Sequence, residues 1–374
     1  MGAEKMKVLV TGSKGFIGKN LILELKNRGY KDILEFDIDS DISMLDGYIR
    51  DCEFIFHLAG VNRPIHEEEF VTGNYGFTEN ILSKLREHNK RTPILITSTI
   101  QAELDNPYGK SKKAGEDAVF LFGSEMSSKV FVYRLPNVFG KWCRPNYNSV
   151  VATFCHNIAR GLDININDPS VVLKLVYIDD VVSEFIDAME GKKCDTDKFC
   201  SMQTVYSIAL DSLAELLKSF KAGRDSLTIP NLENELEKKL YSTYLSYLPN
   251  NEISYQLKMN QDARGSFTEF LRMADKGQIS INVIKPGITK GNHWHHTKCE
   301  KFIVVSGRGI IRLRKVDTND VMEYPVNDDK MEVVDIPPGY THNIQNIGLK
   351  DMVTIMWANE CFNPAKPDTY YLEV

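Results

Sequence analysis

Four residues in the C-terminal third are spaced to hold a metal ion: His293, His295, Glu300 and His342. Side chains two apart on a strand point the same way, so His293 and His295 are expected to face one side. A turn then reverses the chain and returns Glu300 on the next strand, while His342 arrives from a more distant strand pair. Three imidazoles and a carboxylate suit zinc, iron, manganese or nickel, and leave room for a water or a substrate oxygen. By the same parity Trp294 and His296 belong outside the cup. A second pair, Tyr108 and Lys112, lies four residues apart and so on one face of a helix. A neighbouring ammonium lowers a phenol from its usual pKa of about 10. Tyr108 would then exchange a proton with a substrate oxygen.

A third constellation opens the chain. Thr11-Gly12-Ser13-Lys14-Gly15-Phe16-Ile17-Gly18 follows a β-branched run and leads into a helical pattern. Glycines there permit a tight turn and let backbone N–H groups approach a pyrophosphate at the helix start. Asp37 falls 19 residues after Gly18, at the end of the next expected strand. A carboxylate there hydrogen-bonds adenosine ribose hydroxyls and repels a 2′-phosphate, which favours NAD over NADP. The competing reading is a solvated turn carboxylate among Asp37, Asp39 and Asp41.

The elements that must position these groups are of two kinds. From Lys7 to about Met189, strand-like runs (Lys7–Thr11, Asp32–Asp37, Phe54–Leu58, Ile94–Ser98, Val130–Arg134) alternate with helical stretches such as Ile17–Arg28 and Gly76–Glu87. Such alternation predicts an α/β fold, a Rossmann-type doubly wound parallel sheet. From about Ser254 short Ile/Val-rich runs are separated by turn signals at 285–287, 306–309 and 337–339, the texture of an all-β barrel or sandwich. The stretch 230–250 reads as a helix packed on the first domain, followed by a linker near 246–253. Residues 1–245 are thus expected to form one domain and 252–374 the other.

Composition narrows the classes. At 374 residues with 43% hydrophobic and 26% charged side chains, the chain is an ordinary globular protein long enough for two cores. A net charge of −6 argues against nucleic acid or an anionic membrane as partner. No apolar run approaches the roughly 20 residues of a membrane span, and the first six residues lack a signal-peptide pattern. Seven scattered cysteines without a Cys-x-x-Cys pair read as reduced thiols of a cytoplasmic protein, Cys299 alone lying beside a motif.

The first half resembles the extended short-chain dehydrogenase/reductase superfamily. The resemblance rests on the Gly-x-x-Gly-x-x-Gly spacing, on His57-Leu58-Ala59-Gly60 (similar to the loop after the family's fourth strand), and on Asn74-Tyr-Gly76-Phe-Thr78. It continues through Arg134-Leu-Pro136-Asn137-Val-Phe-Gly140 and Tyr177-Ile-Asp179-Asp180-Val. It implies Thr99, Tyr108 and Lys112 as the catalytic set, with Ser98 a near neighbour. It implies a cofactor site at Gly12, Gly15, Phe16, Ile17, Gly18, Asp37, Leu58, Ala59, Gly60 and Pro136 together with Tyr108 and Lys112. Asn74, a supporting helix residue, and Asn137 are implied at the substrate. Only eight residues separate Thr99 from Tyr108, fewer than the family usually carries, which implies a more open pocket.

The second half resembles the cupins. Gly287-x5-His293-x-His295-x4-Glu300-x6-Gly307 matches their first motif, and Pro337-x-Gly339-x2-His342-x3-Asn346 the core of their second. The order of the two halves resembles the bifunctional enzymes of capsular polysaccharide synthesis. That likeness implies that the cupin epimerises C3 of a UDP-2-acetamido-2,6-dideoxy-4-keto-hexose. The reductase then reduces C4 to UDP-N-acetyl-6-deoxy-L-talosamine, a precursor of UDP-N-acetyl-L-fucosamine. It further implies NADPH (or NADH, as Asp37 suggests), a divalent metal best matched by zinc, and a homodimer. His295 and His296 are the candidate bases, although a ligating imidazole is a poor free base. Open alternatives are a metal-free cupin with a histidine base, as in dTDP-sugar 3,5-epimerases, and a non-catalytic sugar-binding or dimerisation cupin.

Overall fold

The computed structural model describes residues 6–192, 198–273 and 275–374. Met1–Lys5 and Cys194 lie outside the described residues. The chain divides into two compact units, one of Met1–Leu217 with Lys239–Leu248, the other of Lys218–Lys238 with Pro249–Val374.

In the first unit five short apolar runs become parallel strands: β1 (Val8–Thr11), β2 (Ile33–Phe36), β3 (Phe54–His57), β4 (Ile94–Thr99) and β5 (Val130–Leu135). They pair in the order β2-β1-β3-β4-β5. Both faces are covered, which is why the strands are continuous hydrophobic runs rather than alternating ones. Val8 and Val10 belong to a core shared with Leu21, Leu25, Val181 and Phe185, while Leu9 joins Leu45, Ile81 and Leu82 on the opposite face. The strand order reverses between β1 and β3, and ligands of doubly wound sheets bind at the carboxyl ends beside such a switch. Between Asp37 and Phe54 the chain forms one helix, Ser43–Asp51, and no strand. The loop His57–Gly60 therefore follows the third strand, not the fourth.

Further along this unit a small sheet pairs Asn137–Phe139, Val172–Tyr177 and Tyr206–Ala209. Of the helix Glu235–Leu245, the residues Leu240, Thr243 and Tyr244 are buried. Tyr247 just beyond it donates a hydrogen bond to the carbonyl of Cys143 at 2.5 Å. From Lys239 onward this helix belongs to the first unit, where Lys239 pairs with Asp180 at 2.8 Å.

The second unit holds two antiparallel sheets. One sheet runs Val333–Ile336, Glu300–Ser306, Met352–Ala358, Gly277–Ile284, Gly265–Met273, Asn260–Asp262; the other runs Val321–Asn327, Arg308–Lys315, Tyr340–Asn346, Thr289–Trp294, Tyr370–Tyr371. Side chains such as Phe302, Val304, Ile311, Leu313 and Ile344 fill one end of the space between them. Residues 218–238 belong here through backbone contacts that no compositional shift announces: the Arg272 N–H donates to the Leu227 carbonyl at 2.7 Å.

Candidate active site and metal centre

The glycine loop is shaped by close approach. Gly12 has φ +68°, and a Cβ on it would lie 2.7 Å from the Ala59 nitrogen; one on Gly18 would lie 2.2 Å from the Gly12 carbonyl oxygen. Larger residues would push the loop off β3 and the helix Phe16–Asn27 off the loop. That helix begins at Gly15 without a side-chain cap, leaving its first N–H groups open. Asp37 is placed at this loop, where its Oδ2 accepts the Lys14 N–H at 2.7 Å. The Lys14 ammonium turns instead to Asp39. Of the three turn carboxylates, Asp37 alone accepts a backbone N–H of the glycine loop.

The buried His57 links the two strands at the switch point. Its Nδ1 lies 2.8 Å from Thr11 Oγ1 and its Nε2 lies 2.8 Å from Thr78 Oγ1. Because Thr78 donates its own proton to the Asn74 carbonyl at 2.6 Å, it accepts from Nε2–H, which leaves Nδ1 to accept from Thr11. Burial, with the nearby Lys112 charge, pushes His57 down to about 3 and keeps it neutral. Asn74, expected at the substrate, is buried with its amide engaged by the protein: Oδ1 accepts Val61 N–H at 2.9 Å, and Nδ2 donates to Val61 O and Ser111 Oγ, each at 3.0 Å. Its part is to hold the 59–61 loop against the helix Pro107–Met126. Asn137 is exposed, its amide on the Lys174 carbonyl at 3.2 Å.

Tyr108 and Lys112 stand on the helix Pro107–Met126, which starts sharply because Asn106 Oδ1 caps the Gly109 N–H at 2.7 Å and Pro107 fills the first turn. Thr99 ends β4, and a single 3-10 turn, Ile100–Glu103, spans most of the short connection. The Tyr108 hydroxyl donates to Asn62 Oδ1 at 3.0 Å, and its ring packs 5.6 Å from that of Phe70. Lys112 shares the helix face with Tyr108, but its hydrogen bond goes elsewhere. Its Nζ donates to the Thr97 carbonyl at 2.7 Å. Tyr108 is raised, not lowered, from its ordinary pKa, because burial outweighs the pull of the Thr99 hydroxyl. Burial in turn brings Lys112 down to about 8, against the attraction of Glu116. Ser98 also faces inward, donating to the wholly buried Glu116 at 2.5 Å. Glu116 receives two further hydrogen bonds from Arg134, at 2.9 and 2.7 Å. The sequence reading missed this pair, though the i, i+4 step from Lys112 to Glu116 is visible in it.

In the second unit His293, His295, Glu300 and His342 converge, with one donor atom from each within 4.8 Å of the others. His293 and His342 are paired across neighbouring strands, and a bulge between Gly291 and His293 re-aims the end of the strand. Glu300 Oε2 lies 3.5 Å from His295 Nε2 and 3.2 Å from His342 Nε2. All three atoms are buried without a hydrogen-bond partner of good geometry. Burial alone would raise Glu300, but the two imidazoles hold it well below the carboxylate range. Burial, reinforced by His342, brings His293 down to about 4, so its ring is neutral. Three imidazoles and a carboxylate that converge with orphaned buried ring nitrogens and oxygen fit a divalent metal. Over this cluster opens a cavity of about 730 Å³, lined also by Lys290, Phe267 and Phe302.

Sequence reasoning missed Asp368. Its backbone carbonyl is hydrogen-bonded to His295 Nδ1, which turns His295 Nε2 toward the cluster. Its carboxylate accepts the N–H groups of His296, Thr297 and Lys298 at 2.9, 2.8 and 2.9 Å. His296 is exposed, its ring 4.5 Å from that of Trp294 and 4.9 Å from Tyr370. It lies outside the cup, as its parity predicts, and is not available there as a base. Cys299 and the other described cysteines are free thiols.

A doubly wound sheet with a Tyr-x-x-x-Lys helix, continued by an antiparallel barrel with a histidine–glutamate cluster, defines an extended short-chain reductase joined to a cupin. The chain belongs to the NAD dependent epimerase/dehydratase family, whose profile matches residues 8–198, and carries a polysaccharide biosynthesis C-terminal domain over residues 260–370. It is 46% identical to the UDP-2-acetamido-2,6-beta-L-arabino-hexul-4-ose reductase of Pseudomonas aeruginosa, over 99% of each chain. Among solved structures it is similar to the capsular polysaccharide assembling protein CapF of Staphylococcus aureus, at 51% identity and TM-score 0.93, covering 99% of this chain and 100% of that one. A UDP-glucose 4-epimerase of Thermotoga maritima, at 23% identity and TM-score 0.55, shares the fold over 65% of this chain and 98% of its own.

Proposed function

We propose that this chain epimerises C3 of a UDP-2-acetamido-2,6-dideoxy-4-keto-hexose in its cupin and reduces the C4 ketone in its reductase unit, giving UDP-N-acetyl-6-deoxy-L-talosamine. One observation carries the reading: a Thr99/Tyr108/Lys112 set and a four-donor cluster under a large cavity occur in one chain. A 4-keto group is the functional group both can use. It acidifies the neighbouring C3–H, so a base can invert that centre, and it is itself the group reduced. The near-full-length relative named as a keto-sugar reductase supports the same substrate class. The reductase is assigned to residues 1–245, the epimerase to 252–374, and the assembly to a homodimer.

At the reducing station a bound NAD(P)H would supply the hydride. Gly12, Gly15, Phe16, Ile17 and Gly18 would hold its pyrophosphate, Asp37 its ribose, and Leu58, Ala59, Gly60 and Pro136 would line its path. Tyr108 delivers its hydroxyl proton to the C4 oxygen, assisted by Thr99, and the Lys112 ammonium offsets the phenolate that forms. Asn137 is assigned to the rim on the substrate side. At the cupin, a metal held by His293, His295, Glu300 and His342, best matched by zinc, would supply Lewis-acid polarisation of a substrate oxygen. Incubating the protein with this keto-sugar and either reduced cofactor should consume cofactor and yield the 6-deoxy-talosamine nucleotide by NMR. Absence of cofactor oxidation with both NADH and NADPH would overturn the reading.

A further inference from the structure

Two arginines at the mouth of the reductase site have no assigned role. Arg63 follows Asn62, the residue that accepts the Tyr108 hydroxyl, and its Cζ lies 5.9 Å from the centre of the Tyr147 ring. Arg144, from the segment after Gly140, lies 5.4 Å from the same ring. Through Asn62 and its neighbour Arg63 the Tyr147 ring is thus linked to the surroundings of the Tyr108 hydroxyl. Among the described residues neither guanidinium has a carboxylate partner, and both are exposed. Two like charges held near one ring repel each other, a cost that an arriving dianion would relieve.

The segment bearing Arg144 and Tyr147 is also built to be rigid. The buried Tyr247 hydroxyl donates to the Cys143 carbonyl at 2.5 Å. The Asn146 N–H is taken by Thr153 Oγ1 at 2.9 Å, and Ser149 caps the helix Val150–Ala159. Pre-organisation of this kind reduces the entropy lost when a ligand docks.

We propose that Arg63 and Arg144, with the Tyr147 ring, bind the diphosphate of the nucleotide-linked substrate while its carbonyl lies at Tyr108. Guanidinium groups engage phosphate oxygens with paired N–H donors, which makes the two arginines suited to a pyrophosphate that is one sugar ring away from the reacting carbon. The assignment rests on the keto-sugar reading for the identity of the sugar, but the diphosphate contact can be tested without turnover.

The test is calorimetric titration of UDP into the full chain and into Arg63→Ala, Arg144→Ala and the double variant, with NAD(P)H affinity and the melting profile as folding controls. Each single variant should weaken UDP at this site at least tenfold and the double variant further. Added salt should weaken the wild type more than the double variant. In the reductase assay the same variants should raise KM and leave kcat within about threefold. Unchanged UDP affinity and KM in the double variant would overturn the site. Weakened UDP binding in a protein that reduces no keto-sugar would instead count against the proposed reaction and leave the site standing. If the cupin binds UDP as well, the wild type shows two sites and the double variant loses one.

Discussion

The Nδ1 of His295 is hydrogen-bonded to the backbone carbonyl of Asp368, 73 residues further along the chain. One ring nitrogen is thereby committed as donor, and the other is left to present a lone pair to Glu300 and His342. The same residue's carboxylate gathers the three N–H groups that follow His295, so a single C-terminal residue sets both the ligand's tautomer and the turn that aims it. Outer partners of this kind are worth about 10–100-fold in metal affinity. Asp368→Ala keeps that carbonyl but removes the carboxylate that holds the turn, and should weaken metal binding by up to about that factor in a chelator competition, while NAD(P)H affinity stays at the wild-type value. Equal metal affinity in the variant would show that the turn is held without it.

Tyr108→Phe removes the transferable proton and leaves the ring against Phe70. Reduction should fall by about 10²–10⁴-fold, the usual worth of a positioned acid, with cofactor affinity retained. Single-turnover oxidation of NAD(P)H measures it directly.

Lys112 brings a pH dependence. Burial places its ammonium at about 8, so it is charged below that pH and neutral above it. The charged form supports the developing Tyr108 phenolate, so kcat/KM for reduction should decline as pH rises through about 8. A profile flat to pH 10 would contradict this role for Lys112.

Glu116 and Arg134 offer a contrast in stability. Glu116 is fully buried and takes two of the guanidinium's hydrogen bonds, whereas Glu103, which takes a third, is exposed. Removing one partner of a buried pair leaves an uncompensated charge and costs about 3–5 kcal/mol, against at most about 1 kcal/mol for an exposed pair. Denaturant unfolding should rank Glu116→Ala far below Glu103→Ala.

Asp37 bears on cofactor choice. Asp37→Ala removes both an acceptor for ribose and a charge opposing a 2′-phosphate. The ratio of NADH to NADPH KM should rise by about tenfold or more, as expected for the loss of a hydrogen bond to a charged group. Initial-rate kinetics with both cofactors would show it.

Much of this was legible in the sequence because it is periodic or local. The five apolar runs, the glycine loop, the Tyr108–Lys112 step and the alternate-residue spacing of His293 and His295 each declare their geometry within a few residues. What was hidden depends on contacts between distant segments. Asp368 carries no motif. The passage of residues 218–238 into the second unit rests on backbone hydrogen bonds rather than composition. The Lys112 spacing is right for a helix face, yet its ammonium finds the Thr97 carbonyl before Tyr108, a competition that only the folded neighbourhood decides. Asn74 shows the same thing: its amide is satisfied by the loop it supports.

The central claim is that one keto-sugar is worked on twice, first at the His293/His295/Glu300/His342 cup and then at Tyr108. The most direct measurement is NMR of the UDP-2-acetamido-2,6-dideoxy-4-keto-hexose incubated in deuterated water with Tyr108→Phe and no nicotinamide cofactor. The account predicts deuterium at C3, lost when His295 and His342 are both replaced by alanine, with no change at C4. A C3 proton that does not exchange would contradict it and leave the cupin a binding module.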